Sequence, residues 1–201
     1  MNIILASGSP RRRELLGKIT PDFTVQTAPV DERSIENRIE EELKGRPMTE
    51  VAESMVQQLS RAKAFAVYEA LGCPADTVII GADTAVAVHD EIMGKPADRE
   101  DAVRMLRKLS LEVQMVYTGV TLIKNGQANT FAEASPVYFW PLDEAQEARI
   151  QAYCDTDEPY DKAGAYGIQA IGFDLVDHYE GEMDNIMGFP TARVRAALEN
   201  I

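Results

Sequence analysis

The sequence predicts an α/β fold, on three observations. Apolar residues alternate along the chain between a strand period and a helix period. The 201 residues are 45% apolar, and a chain of this length buries roughly 70% of the surface its unfolded form exposes, so a real core forms without disulfides or structural metal. Two long strand-like segments, 113–123 and 128–140, flank Asn125-Gly126, the pair that best tolerates the positive φ angles of a tight hairpin. No repeat, low-complexity tract or linker interrupts the pattern, so residues 1–201 read as a single domain.

In chain order, residues 3–6 form a short buried strand. Ser9 then caps a helix with Pro10 at its first position, running to about Ile19. A second strand falls near 23–27. The acidic stretch 31–43 is polar enough to read as a mobile or solvent-facing segment, ended by Pro47. From Thr49, residues Val51, Ala52, Met55, Val56, Leu59, Ala62 and Ala66 recur at three- and four-residue spacing, which predicts a long amphipathic helix stopping at Gly72 and Pro74. Residues 77–80 form an apolar run that ends on Gly81-Ala82-Asp83-Thr84, with a strand resuming at 85–88 before a turn at His89-Asp90. Asp98 caps a helix through Leu109, and residues 143–153 are helical after the hairpin. The glycine-rich segment 161–172 reads as turn and strand, and Pro190 opens a terminal helix to about Leu198.

Charge and cysteine content narrow the function classes. Twenty Lys and Arg against 33 Asp and Glu give a net charge of −13. Duplex nucleic acid is a poor partner for such a chain, because that affinity rests on cations displacing counterions along phosphates. A polybasic membrane anchor is disfavoured for the same reason. Cys73 and Cys154 have no CxxC context and read as incidental buried or half-buried thiols. The opening Met1-Asn2-Ile3-Ile4-Leu5-Ala6 is too short and too uncharged for a secretory signal, and no stretch approaches the length of a membrane span. The expectation is a reduced, soluble, cytoplasmic protein. His89 and His178 stand alone and read as structural or surface residues, and Trp140 as packing the end of a strand.

Ser7-Gly8-Ser9-Pro10-Arg11-Arg12-Arg13 carries the sharpest local conflict. Three cations in the first turn of a helix oppose the positive end of its dipole. Helix-start N–H groups, two hydroxyls (Ser7 and Ser9), a glycine that allows close approach and forked guanidinium donors together make a phosphate cradle. The blander reading is a solvated basic patch, or pairing with the many carboxylates. Asp83, just after a buried run, is placed to bind a metal or take a proton from water, or merely satisfies a turn. Glu32 is a second candidate carboxylate, while Lys63, Lys95 and Lys162 taken singly read as surface charge. The string Asp161 to Gln169 differs, since two glycines with an aromatic and an amide suggest close backbone approach and a hydrogen bond to a base edge.

Leu5-Ala6-Ser7-Gly8-Ser9-Pro10-Arg11-Arg12, Gly81-Ala82-Asp83-Thr84, Gly94-Lys95-Pro96, Tyr117-Thr118-Gly119-Val120, Asp161 to Gln169, and Gly188-Phe189-Pro190 together resemble the Maf family of nucleoside triphosphate pyrophosphatases. They fall in the family's order across nearly the whole chain. The resemblance implies hydrolysis of a nucleoside triphosphate between its α and β phosphates with a divalent cation, Mg²⁺ or Mn²⁺, with Co²⁺ as a further candidate. It also implies an elongated mixed-sheet α/β fold with two lobes around a cleft, shared with the inosine triphosphate pyrophosphatases, and a homodimer. The Asp161 to Gln169 string is similar to the branch acting on dTTP and UTP; CTP, 7-methyl-GTP, or a non-catalytic nucleotide-binding role in cell division are the alternatives. By motif, Asp83 matches the proton acceptor; Arg11, Thr84 and Gln169 match positions tied to base specificity; Ser7, Glu32, Lys63 and Lys95 match further active-site residues. The chain departs from the family at Leu111 and Gln114, where Gly and His are usual, at Ala170 for Gly, and at Phe189 for Leu.

These readings combine into one expected site. Glu32 and Asp83 help hold the metal, and Asp83 orients the attacking water. Arg11, Arg12, Lys63 and Lys95 neutralise the triphosphate, with Ser7, Ser9 and Lys162 beside them, while Gln169 and Thr84 contact the base. Because the cations cluster in the motif strings, a small basic cleft is expected on an acidic body.

Overall fold

The computed structural model describes residues 2–201, except for the side chains of Ala170 and Ile171. The replacement at Ala170 and the opening Met1 lie outside the described residues. The fold is mixed α/β, built on a sheet in which seven strands run in the order β2-β1-β3-β5-β6-β7, with β4 paired to β3 off that path. The strands are β1 (Asn2–Leu5), β2 (Thr24–Val25), β3 (Thr77–Ala87), β4 (Ile92–Met93), β5 (Gln114–Lys124), β6 (Gln127–Phe139) and β7 (Val176–Tyr179). The helices are α1 (Pro10–Gly17), α2 (Glu32–Glu42), α3 (Met48–Ala70), α4 (Arg99–Leu109), α5 (Glu144–Cys154), α6 (Met183–Ile186) and α7 (Thr191–Glu199). Strand β1 pairs in parallel with β2 and β3; the remaining pairings are antiparallel. Among the described residues no helix is long and apolar enough to cross a membrane.

The hairpin forms as its sequence requires, with Asn125 and Gly126 both at positive φ and β5 and β6 in register from Gln114↔Val137 to Lys124↔Gln127. Asp98 and Asp143 cap α4 and α5 through their side chains, and α3 and α7 follow the expected bounds closely.

Helix α3 lies unusually close to the sheet. A methyl group on Gly81 would stand 2.3 Å from the Ser60 carbonyl oxygen, and one on Gly119 would stand 2.2 Å from that of Val56. These two glycines let the helix backbone rest on β3 and β5. Ser60 then reaches Thr121 across the contact at 3.1 Å. The larger core fills the other face, where Leu5, Leu15, Leu16, Ile80, Leu106, Leu122 and Phe189 are all fully buried.

Four sequence expectations are corrected. Residues 31–43 face solvent at most positions, as expected, but they form α2 and not a mobile segment: Asp31 accepts from the Ser34 N–H at 3.1 Å as its cap, and Ile35, Ile39 and Leu43 pack on Val51, Met55 and Leu59 of α3. That apolar stripe at four-residue spacing outweighs the polar composition around it. Strand β3 runs unbroken through Gly81-Ala82-Asp83-Thr84, because both of its faces are covered and β5 pairs along it from Ile79 to Ala87. Asp83 therefore sits within a strand, not beyond its end. Segment 161–172 holds short 3₁₀ turns and no strand; a Cβ at Gly164, which is at positive φ, would stand 3.1 Å from Val86 Cγ1, and one at Gly172 would collide with the Gly167 carbonyl. Cys73 is exposed, whereas Cys154 is buried.

Smaller differences are local. Helix α1 stops at Gly17 and β2 spans only two residues. Trp140 is 40% exposed just past β6, and Leu111 is 71% exposed after α4. Gln114 is fully buried, and neither atom of its amide has a hydrogen-bond partner.

Candidate active site

The sheet topology creates a gap at the middle of β3. On one edge β1 covers β3 only to Ile80, and β4 resumes on that edge only at Val86. Residues 81–85 are left with no strand on that side, although β5 pairs with all of them on the other. Because side chains alternate across a strand, Asp83 and Thr84 leave opposite faces, yet both reach the opening. Such breaks in strand order are where open α/β sheets place ligands.

A cleft of about 580 Å³ occupies this gap. It gathers Ser9, Arg11, Arg12, Glu32, Lys63, Asp83, Thr84, Lys95, Lys162 and Gln169, which is every predicted site residue except Ser7. Five cationic and four carboxylate side chains line it, so the expected basic cleft is corrected to one of nearly balanced charge. Arg13 points away and lines a separate cleft with Ser7 and Glu14.

On the α3 side, the Lys63 ammonium donates to Asp83 Oδ1 at 2.6 Å and pairs with Glu32 Oε2 at 2.9 Å. The glycine-mediated seating of α3 sets this geometry, since Lys63 lies between Ser60 and Ala64, the residues touching Gly81. Burial pushes the Asp83 carboxyl above the usual carboxylate range, against the opposing pull of Lys63 and Arg12. Glu36, one turn beyond Glu32 on α2, also lines the cleft; burial, then Glu32, Asp83 and Glu40, pushes its carboxyl up. Sequence reasoning missed Glu36, although its four-residue spacing from Glu32 would mark it once the segment is seen as a helix.

On the opposite face, Ser9 caps α1, its Oγ accepting from the Arg12 N–H at 3.4 Å. Arg12 Nε donates to the Gly188 carbonyl at 2.9 Å, Nη2 to Thr84 Oγ1 at 2.9 Å and Nη1 to Ser7 Oγ at 3.4 Å. Burial lowers the Arg12 pKa, offset by Asp83. Ser7 thus stands behind Arg12, outside the cleft wall. Arg11 and Lys95 make no ion pair among the described residues, which leaves their charges available to a ligand. The Lys95 loop is tied to the 163–165 turn by the Gly164 N–H donating to the Gly94 carbonyl at 3.1 Å. Lys162 differs: its ammonium is engaged by Asp161 at 2.7 Å and Glu158 at 3.1 Å.

The base-reading string closes the cleft with Tyr166, Gly167, Ile168 and the exposed Gln169. Its backbone is held where Gly167 N–H donates to the Tyr153 hydroxyl at 3.2 Å, a phenol that burial pushes up to about 12. The arrangement can neutralise an anion at the α1 start and at Lys95, and can hold a proton on Asp83. No group of three metal-ligating side chains stands ready to cage an ion among the described residues. The oxygen donors of Glu32 and Asp83 nonetheless fit the way Mg²⁺ is held, by one or two carboxylates completed by substrate phosphates.

The chain matches the profile of the family described as Maf-like protein over residues 2–201. It is 41% identical over 197 residues to the dTTP/UTP pyrophosphatase of Halalkalibacterium halodurans, covering 98% of this chain and 94% of that one. The Bacillus velezensis dTTP/UTP pyrophosphatase is 40% identical, covering 98% and 95%, and that of Acetivibrio thermocellus 42% identical, covering 100% and 95%. A solved structure, the Staphylococcus aureus Ham1 protein, superposes with a TM-score of 0.48 at 16% identity, covering 100% of this chain and 99% of that chain. With a profile that spans the described residues and relatives aligned along nearly their whole length, the chain belongs to the Maf family.

Proposed function

We propose that the chain hydrolyses dTTP and UTP to the nucleoside monophosphate and pyrophosphate. The observation that supports it most directly is the Glu32–Lys63–Asp83 arrangement facing the α1 start across one cleft. The names of the relatives supply the substrate class, and the amide of Gln169 at the rim suits a pyrimidine edge.

In this reading the triphosphate lies along Arg11, Arg12 and Lys95, with the base toward Gln169. A water oxygen attacks the α-phosphorus, the bond between the α-phosphorus and the oxygen bridging to the β-phosphorus breaks, and pyrophosphate leaves with that oxygen. Asp83 accepts the water's proton; its raised pKa makes it a better base than an ordinary carboxylate. Lys63 fixes the orientation of Asp83, while Arg11, Arg12 and Lys95 stabilise the charge that moves to the departing pyrophosphate. Glu32 and Asp83 would hold a divalent cation, which when bound polarises phosphoryl oxygens.

The test is a panel of pyrimidine, purine and methylated triphosphates with Mg²⁺, Mn²⁺ and Co²⁺, scored for pyrophosphate and monophosphate. Turnover favouring dTTP and UTP is expected. Preference for 7-methyl-GTP would overturn the substrate assignment, and binding without pyrophosphate release would favour a regulatory protein. The single continuous sheet supports reading residues 1–201 as one domain. The homodimer rests on family resemblance, and sedimentation equilibrium decides it.

A further inference from the structure

We propose that Thr84, Thr118 and Gly188 form a clamp that positions the Arg12 guanidinium, so that the Thr84 hydroxyl serves the phosphates through Arg12. The proton directions carry this. Thr118 Oγ1 lies 2.9 Å from the Asn185 carbonyl, which can only accept, so Thr118 spends its single proton there. At the 3.1 Å contact between the two hydroxyls, Thr84 must then be the donor. The remaining partner of Thr84 is Arg12 Nη2, a donor at 2.9 Å. The chain therefore runs one way, from Arg12 through Thr84 and Thr118 to the Asn185 carbonyl. Thr84 has no proton left to donate to a ligand and keeps only its second lone pair, as an acceptor.

The second arm closes on the same corner. Arg12 Nε donates to the carbonyl of Gly188, three residues past Asn185 at the end of α6. Gly188 has φ +101°, and a methyl group there would stand 3.1 Å from Thr84 Oγ1 and 3.7 Å from Arg12 Nε, so a side chain would press on both members at once. With these contacts made, one N–H on each terminal nitrogen of Arg12 stays free, the fork that matches phosphate oxygens. Asn185 is itself fixed by donating to Ser135 Oγ at 2.9 Å. Thr118 is fully buried beneath Thr84, so its substitution tests the clamp without touching a ligand.

The inference rests on the proposed activity for its kinetic readout, and inorganic pyrophosphate binding keeps the two separable. Thr118→Val should lower kcat/KM for every triphosphate by a common factor of about 10- to 100-fold, weaken pyrophosphate binding, and leave the ratios among dTTP, UTP, CTP and GTP unchanged. Thr118→Ser should restore both. In an Arg12→Ala background, Thr118→Val should have no further effect. Thr84→Val is the parallel variant if Thr118→Val folds poorly, and it should likewise lose turnover and pyrophosphate affinity, with undiminished values overturning the clamp. A changed nucleotide ratio, or undiminished turnover and pyrophosphate affinity, in folded Thr118→Val would overturn the clamp. If the wild type hydrolyses no triphosphate, the activity reading fails, and pyrophosphate affinity alone decides the clamp.

Discussion

Replacing Gly81 by alanine tests the link from backbone packing to chemistry. The new Cβ would meet the Ser60 carbonyl oxygen at 2.3 Å, the Ala64 nitrogen at 2.8 Å and the Ala64 Cβ at 2.9 Å. All three belong to the body of α3, so no rotamer change relieves them. A carbon rests against a carbonyl oxygen at about 3.3 Å or more, and the helix must therefore rise by about 1 Å. Lys63 rises with it and draws away from Asp83, which leaves β3 on the same face as Gly81 and now accepts at 2.6 Å. Overpacking of this kind costs about 1–3 kcal/mol, and each kcal/mol lowers the melting temperature of a chain this long by about 2–4 °C. A displacement of this size in a catalytic group costs on the order of 100-fold in rate. Thermal unfolding and dTTP turnover read both effects. Gly17→Ala is the control, since nothing lies within 4 Å of its added Cβ, and it should leave turnover unchanged without lowering the melting temperature. Wild-type melting in Gly81→Ala would refute the packing argument, and lowered melting with unchanged kcat would refute the coupling to Lys63.

Other substitutions probe the site and core separately. Asp83→Asn should keep pyrophosphate binding and lose about 100- to 10,000-fold in kcat, and its melting temperature at neutral pH should not fall, because it removes a buried charge whose desolvation outweighs its partners. The linkage has a definite sign: with the folded pKa above the unfolded value, Asp83 contributes stability at low pH that is lost as pH rises through the folded pKa. Comparing wild type and Asp83→Asn across that range should show the difference grow with pH, and a parallel pair of curves would refute it. The acid limb of kcat should likewise lie above the usual carboxylate range, and a limb at the ordinary value would exclude Asp83 as the proton acceptor. Gln114→Met should raise stability by about 1–2 kcal/mol in urea unfolding, since it removes two buried amide atoms without partners; a loss would show that ordered water satisfies them.

The parts of the fold legible in the sequence are those set by local chemistry. The Asn125-Gly126 turn, the Asp98 cap and the apolar stripe of α3 are each decided within a few residues. Helix α2 was hidden because its charged residues outnumber the three on its apolar stripe, and the stripe acts only against α3. Strand β3 looks broken at Gly81 because glycine ordinarily interrupts a strand; here it answers a helix arriving from twenty residues earlier. The site residues were legible as motif strings, but their partnerships were not. Nothing local tells that Lys63 is shared by Glu32 and Asp83, or that Thr84 is bound to Arg12.

Those partnerships change what the net charge of −13 means. The cleft walls are nearly balanced, so the acidic surplus lies outside the cleft, where it repels a long polyanion without setting the local field. Yet Lys63 and Lys162 are engaged by carboxylates, which leaves Arg11, Lys95 and the free fork of Arg12 to meet a triphosphate. Glu32, Glu36 and Asp83 stand beside that path, and two of them are held by a single ammonium while Glu36 responds to both. A nucleotide entering alone adds negative charge next to three carboxylates. Its affinity should therefore fall when divalent cations are chelated, and fall less in Glu32→Gln, where one of those charges is gone. Calorimetry with and without EDTA measures both, and equal affinity under the two conditions would show that the cleft cations suffice by themselves.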